Sequence, residues 1–431
     1  MKLATSIKEI RQVFRFNDKY LKEEDANVYV NLYEKEMKNL EIDIEDSYIH
    51  YDTFYITGQS GNGKSTAINH LKLNNDFIKE KYEVKHIFAS EIFDYSDKVT
   101  IIDVLLMVGI TLVEGNSDLE KSYYKKLQEL KDINVGKLEK SFLEENESGD
   151  KSTFSAYAKG EVGFLSIFKF GADLKKEFNT NEKSRILLRK LFLPNRQELL
   201  NLVNEIIDTY SKNANNKKLF LILDDLEKQQ VSKELFTKHK NLLEKLEVLK
   251  IIMIPVNYAT SGNVYKLTLR LNSNPLDITS EDDAEPTKNM EALKELIYKR
   301  IEPNHYNLIP NTSEVVERLI KLSGGNIRQL LRLISDGARS SRRVGGETLS
   351  AKDVQEAFQE SLNMIAIGVT SKVSFLKYIS DYHISDENEE EKFRESIADN
   401  TIFAYFNGKP WYEVNPVLQS YIESLKFSSD A

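Results

Sequence analysis

The chain has 431 residues, 41% of them hydrophobic and 29% charged, with a net charge of −9. That length implies two or three domains, and the acidic balance argues against a broad electropositive surface, leaving nucleic-acid contact to local patches. Cysteine is absent, which excludes disulfides, thiolate metal sites and cysteine nucleophiles, and the six histidines form no close pair that would suggest zinc.

The N-terminus, MKLATSIKEIRQVFRF, lacks the apolar core of a signal peptide. Residues 1–50 read as a polar, partly helical segment packing on the core. YDTFYITG then reads as a strand entering a glycine-rich turn, and STAINHLKLNN as the helix leaving it. YEVKHIFASEI gives another strand. IIDVLLMVGITLV is apolar but holds Asp103 and is too short to span a bilayer, so it reads as a buried helix with no membrane role. Residues 51–114 form the first part of an α/β core, and a cytoplasmic protein is expected.

From 115 to 195 the chain reads as an insertion: charged helical sequence, then AKGEVGFLSIFKFGADLKKEF as a two-stranded ribbon. The core resumes over 196–284. RQELLNLVNEIIDTYSKN is a long helix, KKLFLILDDLEKQ a buried strand ending in acids, ELFTKHKNLLEKLEVL a helix, and KIIMIPVNYA a third buried strand. Strand and helix in alternation imply a doubly wound parallel sheet. Residues 285–362 are all-helical in pattern, with two helices meeting at Gly324-Gly325 and another opened by Ser350 as N-cap. Over 363–431, TIFAYFNGKPWYEVNPVLQSYIESL gives a strand, an Asn-Gly turn, a strand and a helix. With the preceding helix SFLKYISDYH, this tail resembles a winged-helix domain.

Gly58-Gln59-Ser60-Gly61-Asn62-Gly63-Lys64-Ser65, continued by Thr66, satisfies the phosphate-loop pattern G-x-x-x-x-G-K-[ST]. Its glycines let the backbone close around phosphate so that N–H groups at the helix start point inward. Lys64 would reach the β- and γ-phosphates, and Ser65 would place its hydroxyl on Mg²⁺. Such a loop needs a second carboxylate at the end of a buried strand. Asp224 supplies it, although acids there would equally suit the start of a helix. Asp225 and Glu227 compete for the role of base that activates water. ATP is expected rather than GTP, because no N-K-x-D guanine-reading motif lies after the core strands.

On these motifs the chain resembles the AAA+ ATPases, close to their origin-recognition and STAND branches, over about residues 50–345 outside the insertion. The resemblance implies a P-loop NTPase core, an α-helical lid and a winged-helix-like tail. LDDLEK is more similar to the acid-rich second motif of STAND-type switches than to the Asp-Glu pair of AAA+ machines, which implies a slow switch as readily as a fast motor. The same resemblance makes Asn257 the sensor-1 residue; otherwise it is an Asn in a turn after a strand. It makes Arg328, in Ser323-Gly324-Gly325-Asn326-Ile327-Arg328, the sensor-2 arginine of the lid, against an ordinary helical hairpin. Arg270 falls where the family offers an arginine finger to a neighbouring subunit, with Arg300 as a weaker rival.

Two output classes remain open. The architecture resembles ATPases of bacterial anti-phage systems, which implies a homo-oligomeric switch controlling a protein effector. The alternative is an initiator- or transposition-type ATPase that contacts DNA through the winged helix and the basic spot Arg339, Arg342 and Arg343. The net acidity and a wing whose one base is Lys409 make nucleic acid the less favoured partner. Trp411 reads as core before interface anchor.

Overall fold

A computed structural model describes residues 1–15, 20–94, 98–145, 178–179, 181–213, 217–228, 230–231, 233–258, 263–276, 284–385, 389–407 and 409–424. The ribbon expected in residues 158–177 lies outside these. The strands are β1 (Thr53–Thr57), β2 (Tyr82–Phe88), β3 (Lys98–Val99), β4 (Lys218–Asp224), β5 (Gln230–Val231), β6 (Leu249–Met253) and β7 (Val264–Lys266). A five-stranded sheet runs in the order β2-β4-β6-β1-β7. β2, β4 and β6 are joined by parallel ladders, with Phe88 opposite Asp224 and Leu223 opposite Ile252. β3 and β5 make a small parallel pair of their own. The fold is α/β, with helices around a central sheet, as the alternation of strands and helices implies.

The chain divides into two compact units, one of residues 43–55 and 76–254, the other of 1–42, 56–75 and 255–431. In the first, helix Ile101–Val113 is almost wholly buried. Its single acid is explained by its position. Asp103 closes a capping box, accepting from Thr100 N at 2.8 Å and Thr100 Oγ1 at 2.7 Å. Arg189 Nε donates to both of its carboxylate oxygens, at 2.9 and 2.7 Å. Burial still pushes the Asp103 carboxyl up, with the Arg189 charge pulling against it. Helices Ser117–Glu145, Glu182–Phe192 and Arg196–Asn213 pack around Ile101–Val113 in this unit. The described part of the 115–195 region is therefore helical and shares a core with the sheet-flanking helices. The helix expected over 234–249 is instead two short ones, Lys233–Thr237 and Lys240–Glu244.

The other unit joins both ends of the chain. Helix Ile7–Phe14 packs against helix Ile327–Arg343, and Ala4 exchanges hydrogen bonds with the segment after helix Glu285–Tyr298, to Arg300 O and from Glu302 N, both at 3.0 Å. Gly324 in left-handed conformation ends helix Arg318–Ser323, and Asn326 caps the next. Ser350 caps helix Ala351–Ala366 in a full capping box with Asp353. The tail holds helices Val373–Tyr382 and Glu390–Ala398, the antiparallel hairpin of β8 (Ile402–Asn407) and β9 (Lys409–Val414), and helix Pro416–Ser424. Phe375, Leu376, Ile379, Ile402, Val414 and Leu418 form its core, which also takes in Val256. Trp411 is fully buried and stacks on Tyr405 at 4.6 Å, so it is core. Among the described residues no helix is long and apolar enough to cross a membrane.

Lys250 is buried in the middle strand β6, among apolar neighbours. Its ammonium donates to Leu246 O at 2.8 Å, Val248 O at 3.0 Å and Tyr51 O at 3.2 Å. Burial pulls its pKa from 10.5 to about 7, with Glu244 and Asp52 opposing. Between those values the unfolded chain binds the proton and the folded chain does not, so stability rises with pH across the window and is flat below it. Urea unfolding from pH 7 to 9.5 should show wild type gaining stability relative to Lys250→Met. A difference independent of pH would contradict this.

Candidate functional site

Each unit carries one part of the chemistry. In the unit containing the phosphate loop, Gly58, Gly61 and Gly63 all have positive φ, at 149°, 95° and 77°. Gly63 is the N-cap of helix Lys64–Asn74 and brings no side chain to that end. No side-chain cap therefore occupies the N–H groups of the first turn, the arrangement an anion site uses. Lys64 is buried, and its Nζ donates to Gly58 O at 2.8 Å and Gln59 O at 3.1 Å. Ser65 is buried beside it, while Thr66 Oγ1 accepts from Leu21 N at 3.3 Å. These donors fit a nucleotide phosphate: a buried ammonium, a hydroxyl, and amides without side-chain caps.

The loop is held on all sides. Asn326 Nδ2 donates to Ser60 O at 2.7 Å and to Asn62 Oδ1 at 3.3 Å. Arg328 N donates to Gly61 O at 3.1 Å, and Arg328 Nη1 to Ser60 Oγ at 3.2 Å. Tyr33 Oη donates to Asn62 O at 2.6 Å, and Asn62 Nδ2 to Leu267 O at 3.3 Å. Gln59 turns its amide to Ile397, Asn400 and Ile402. Arg328, expected in the lid, thus lies on the loop itself. Tyr33, Asn326 and the partners of Gln59 were not singled out by the sequence. Asn326 alone carried a signal, as the residue that comes after a glycine pair and begins a helix.

Asn257 sits half-buried in the turn Val256–Tyr258 after β6, next to Val256 in the tail's core. Neither arginine considered as a finger is offered at a surface. Arg270 is buried, its Nη2 donating to Glu285 Oε2 at 2.8 Å, and its carbonyl accepts from Asn289. Arg300 is also buried, donating to Leu296 O at 2.7 Å; burial lowers its pKa to about 10. Of the basic spot, Arg342 is exposed, while Arg339 and Arg343 pair with acids. Arg339 pairs with Glu360 and with Asp336, and Arg343 with Glu360 at 3.1 Å.

In the other unit, the C-terminal end of β4 gathers Asp224, Asp225 and Glu227; one carboxylate oxygen from each lies within 4.8 Å of the others, a set suited to a divalent cation. Asp224 is fully buried; its Oδ1 accepts from Asp225 N at 2.7 Å, and its Oδ2 lies 3.0 Å from His86 Nε2. His86 in turn stacks on Phe88 at 4.1 Å. Asp225 has a left-handed φ of 66°, and both its oxygens are engaged, Oδ2 by Ser90 Oγ and Oδ1 by Lys228 Nζ. Glu227 is half-buried. Burial lowers the pKa of Lys228, but the charges of Glu227, Asp225 and Asp224 outweigh it and leave the ammonium raised and charged.

No family model matches the chain, and neither does any curated protein. Solved structures with a related outline include Drosophila ORC bound to DNA, at 9% identity and a TM-score of 0.41, covering 99% of this chain and 96% of that one. Another is the Aeropyrum pernix ORC1 protein in complex with DNA, at 9% identity and TM-score 0.41, covering 96% of each chain. A Walker-type ATPase of Pyrococcus abyssi gives 13% identity and a TM-score of 0.44, over 95% of this chain and 99% of its own. These are likenesses of outline alone.

The fit around Gly61 is tight: an added Cβ would meet Asn326 Oδ1 at 2.6 Å and the Arg328 Cβ at 2.9 Å. A Cβ at Gly325 would meet Leu269 O at 1.9 Å. Gly61→Ala and Gly325→Ala should each lower stability by about 2 kcal/mol or more, from left-handed strain plus displaced neighbours. The urea midpoint is the readout, and unchanged midpoints would contradict the geometry.

Proposed function

We propose that this chain binds ATP with Mg²⁺ and hydrolyses it slowly, as an AAA+-type switch whose nucleotide state is passed to a protein partner. The observation that carries this reading is the contact of Asn326 and Arg328 with the phosphate loop. An ordinary glycine turn has no use for a buried lysine, uncapped helix amides and an arginine delivered from another helix.

In this reading the loop amides and Lys64 bind the phosphates. Ser65 and Asp224 hold Mg²⁺, which supplies positive charge to the phosphoryl group in transfer. His86 keeps Asp224 oriented, and Arg328 responds to the γ-phosphate. Glu227 is the base, because Asp225 is committed to Ser90 and Lys228. Asn257 helps to place the attacking water. Self-association coupled to nucleotide, and an effector protein that reads it, complete the proposal. The initiator-type alternative gains little from the basic spot, since Arg339 and Arg343 already face Glu360.

Lys64→Ala should weaken MgATP binding by about 100-fold, the loss expected for two charge-assisted hydrogen bonds. Glu227→Gln should retain ATP and slow turnover by roughly 10²-fold or more, whereas Asp225→Asn should mainly reduce stability. Calorimetric titration and phosphate release measure these effects. Turnover lost in Asp225→Asn but kept in Glu227→Gln would move the base to Asp225. No binding of ATP by wild type would refute the reading. ATP-dependent assembly on a sizing column supports the switch, and DNA-stimulated hydrolysis that disappears at raised salt would select the initiator reading.

A further inference from the structure

The pattern G-x-x-x-x-G-K-[ST] leaves position 59 unspecified, so its side chain can serve something other than phosphate. Here that side chain is Gln59, only 2% exposed. Its Nε2 lies 2.6 Å from Ile397 O, 2.8 Å from Asn400 Oδ1 and 3.1 Å from Ile402 O. The three acceptors come from the last turn of helix Glu390–Ala398, the turn that follows it and the first residue of β8.

That turn is rigid. Asn400 has a left-handed φ of 60°, and its carbonyl accepts from Asn415 Nδ2 at 2.9 Å. Thr401 N donates to Asp399 Oδ1 at 2.9 Å, and Asn415 N to Thr401 O at 2.9 Å. Asn415 also pairs reciprocally with Gln329, Nδ2 to Oε1 at 2.9 Å and Nε2 to Oδ1 at 3.0 Å. Gln329 is next to Arg328 on the helix whose first residues bind Ser60 and Gly61. Tyr405 Oη closes the same junction on Gly324 O at 2.6 Å. The hydrogen bonds thus form a circuit: phosphate loop, turn 397–402, Asn415, Gln329, the start of helix Ile327–Arg343, and back to the loop.

Resting on the nucleotide reading, we propose that Gln59 is a positioning residue that fastens the phosphate loop to the turn 397–402, so that nucleotide affinity and docking of the tail are linked. Linkage of this kind is reciprocal: what shapes the loop for phosphate also holds the tail, and phosphate on the loop tightens the tail. The docked loop has its glycines in positive φ and Lys64 turned inward, so docking favours binding. Release of the turn gives the nucleotide site a direct mechanical route to the C-terminal segment.

Two variants test this in the full chain. Gln59→Glu keeps the size of the side chain and replaces the shared donor with a carboxylate facing three acceptors. Asn400→Gly leaves the loop sequence intact, suits the left-handed backbone and removes one acceptor. Hydrogen exchange over 397–402 should quicken in both variants without nucleotide. A non-hydrolysable ATP analogue should slow it in wild type but much less in the variants. The Kd for that analogue should rise about tenfold in Gln59→Glu and less in Asn400→Gly, and in Asn400→Gly kcat at saturation should be little changed. A purely structural lesion would not give this split of affinity from kcat. Unchanged exchange and Kd in both variants would overturn the proposal. If wild type binds no nucleotide, the ATP reading fails; quickened exchange in the variants would then still show the fastening, and unchanged exchange would refute it.

Discussion

The arrangement depends on how a glycine-rich loop is held open. A loop with three positive-φ glycines has no regular ladder of its own, and unfastened it would lose the shape that phosphate requires. Its polar atoms are met by segments far apart in sequence: Tyr33, Leu267, Asn326, Arg328 and the turn 397–402. Gly61 is where this is tightest, because the Arg328 amide donates to its carbonyl while the Asn326 side chain occupies the space a Cβ would need. Ordering costs that a ligand would otherwise bear are thereby met in the fold.

The acidic end of β4 poses the opposite problem, too much like charge in a buried place. Asp224 and Asp225 are both buried, with Glu227 close by. Lys228 supplies one compensating charge, His86 and Ser90 supply polar partners, and the left-handed Asp225 lets its own amide turn back onto Asp224. Such groups are tolerable only when satisfied. That explains why Asp225 is committed to structure, and why the role of base is proposed for Glu227.

Much of the α/β framework was legible from the chain, because buried parallel strands leave uninterrupted apolar runs and helices leave caps. Helices Ile101–Val113 and Arg196–Asn213, the Ser350 cap and the Asn-Gly hairpin arise from such local rules. The glycine-rich loop was legible too, because motif spacing records local backbone needs. The partners of Gln59 and the hold of Ser90 on Asp225 were not, since hydrogen bonds across 338 and 135 residues leave no periodicity. The partner of Arg270 was not legible for a related reason: sequence shows that Arg270 is charged but not that Glu285 holds it.

The central claim is that helix Ile327–Arg343 reaches the phosphate loop in order to read a γ-phosphate. Its most direct test is calorimetric titration of MgATP and MgADP into wild type and Arg328→Ala. The account predicts that the variant loses about tenfold in affinity for ATP and almost none for ADP. Equal losses for both nucleotides, or no loss for either, would contradict it.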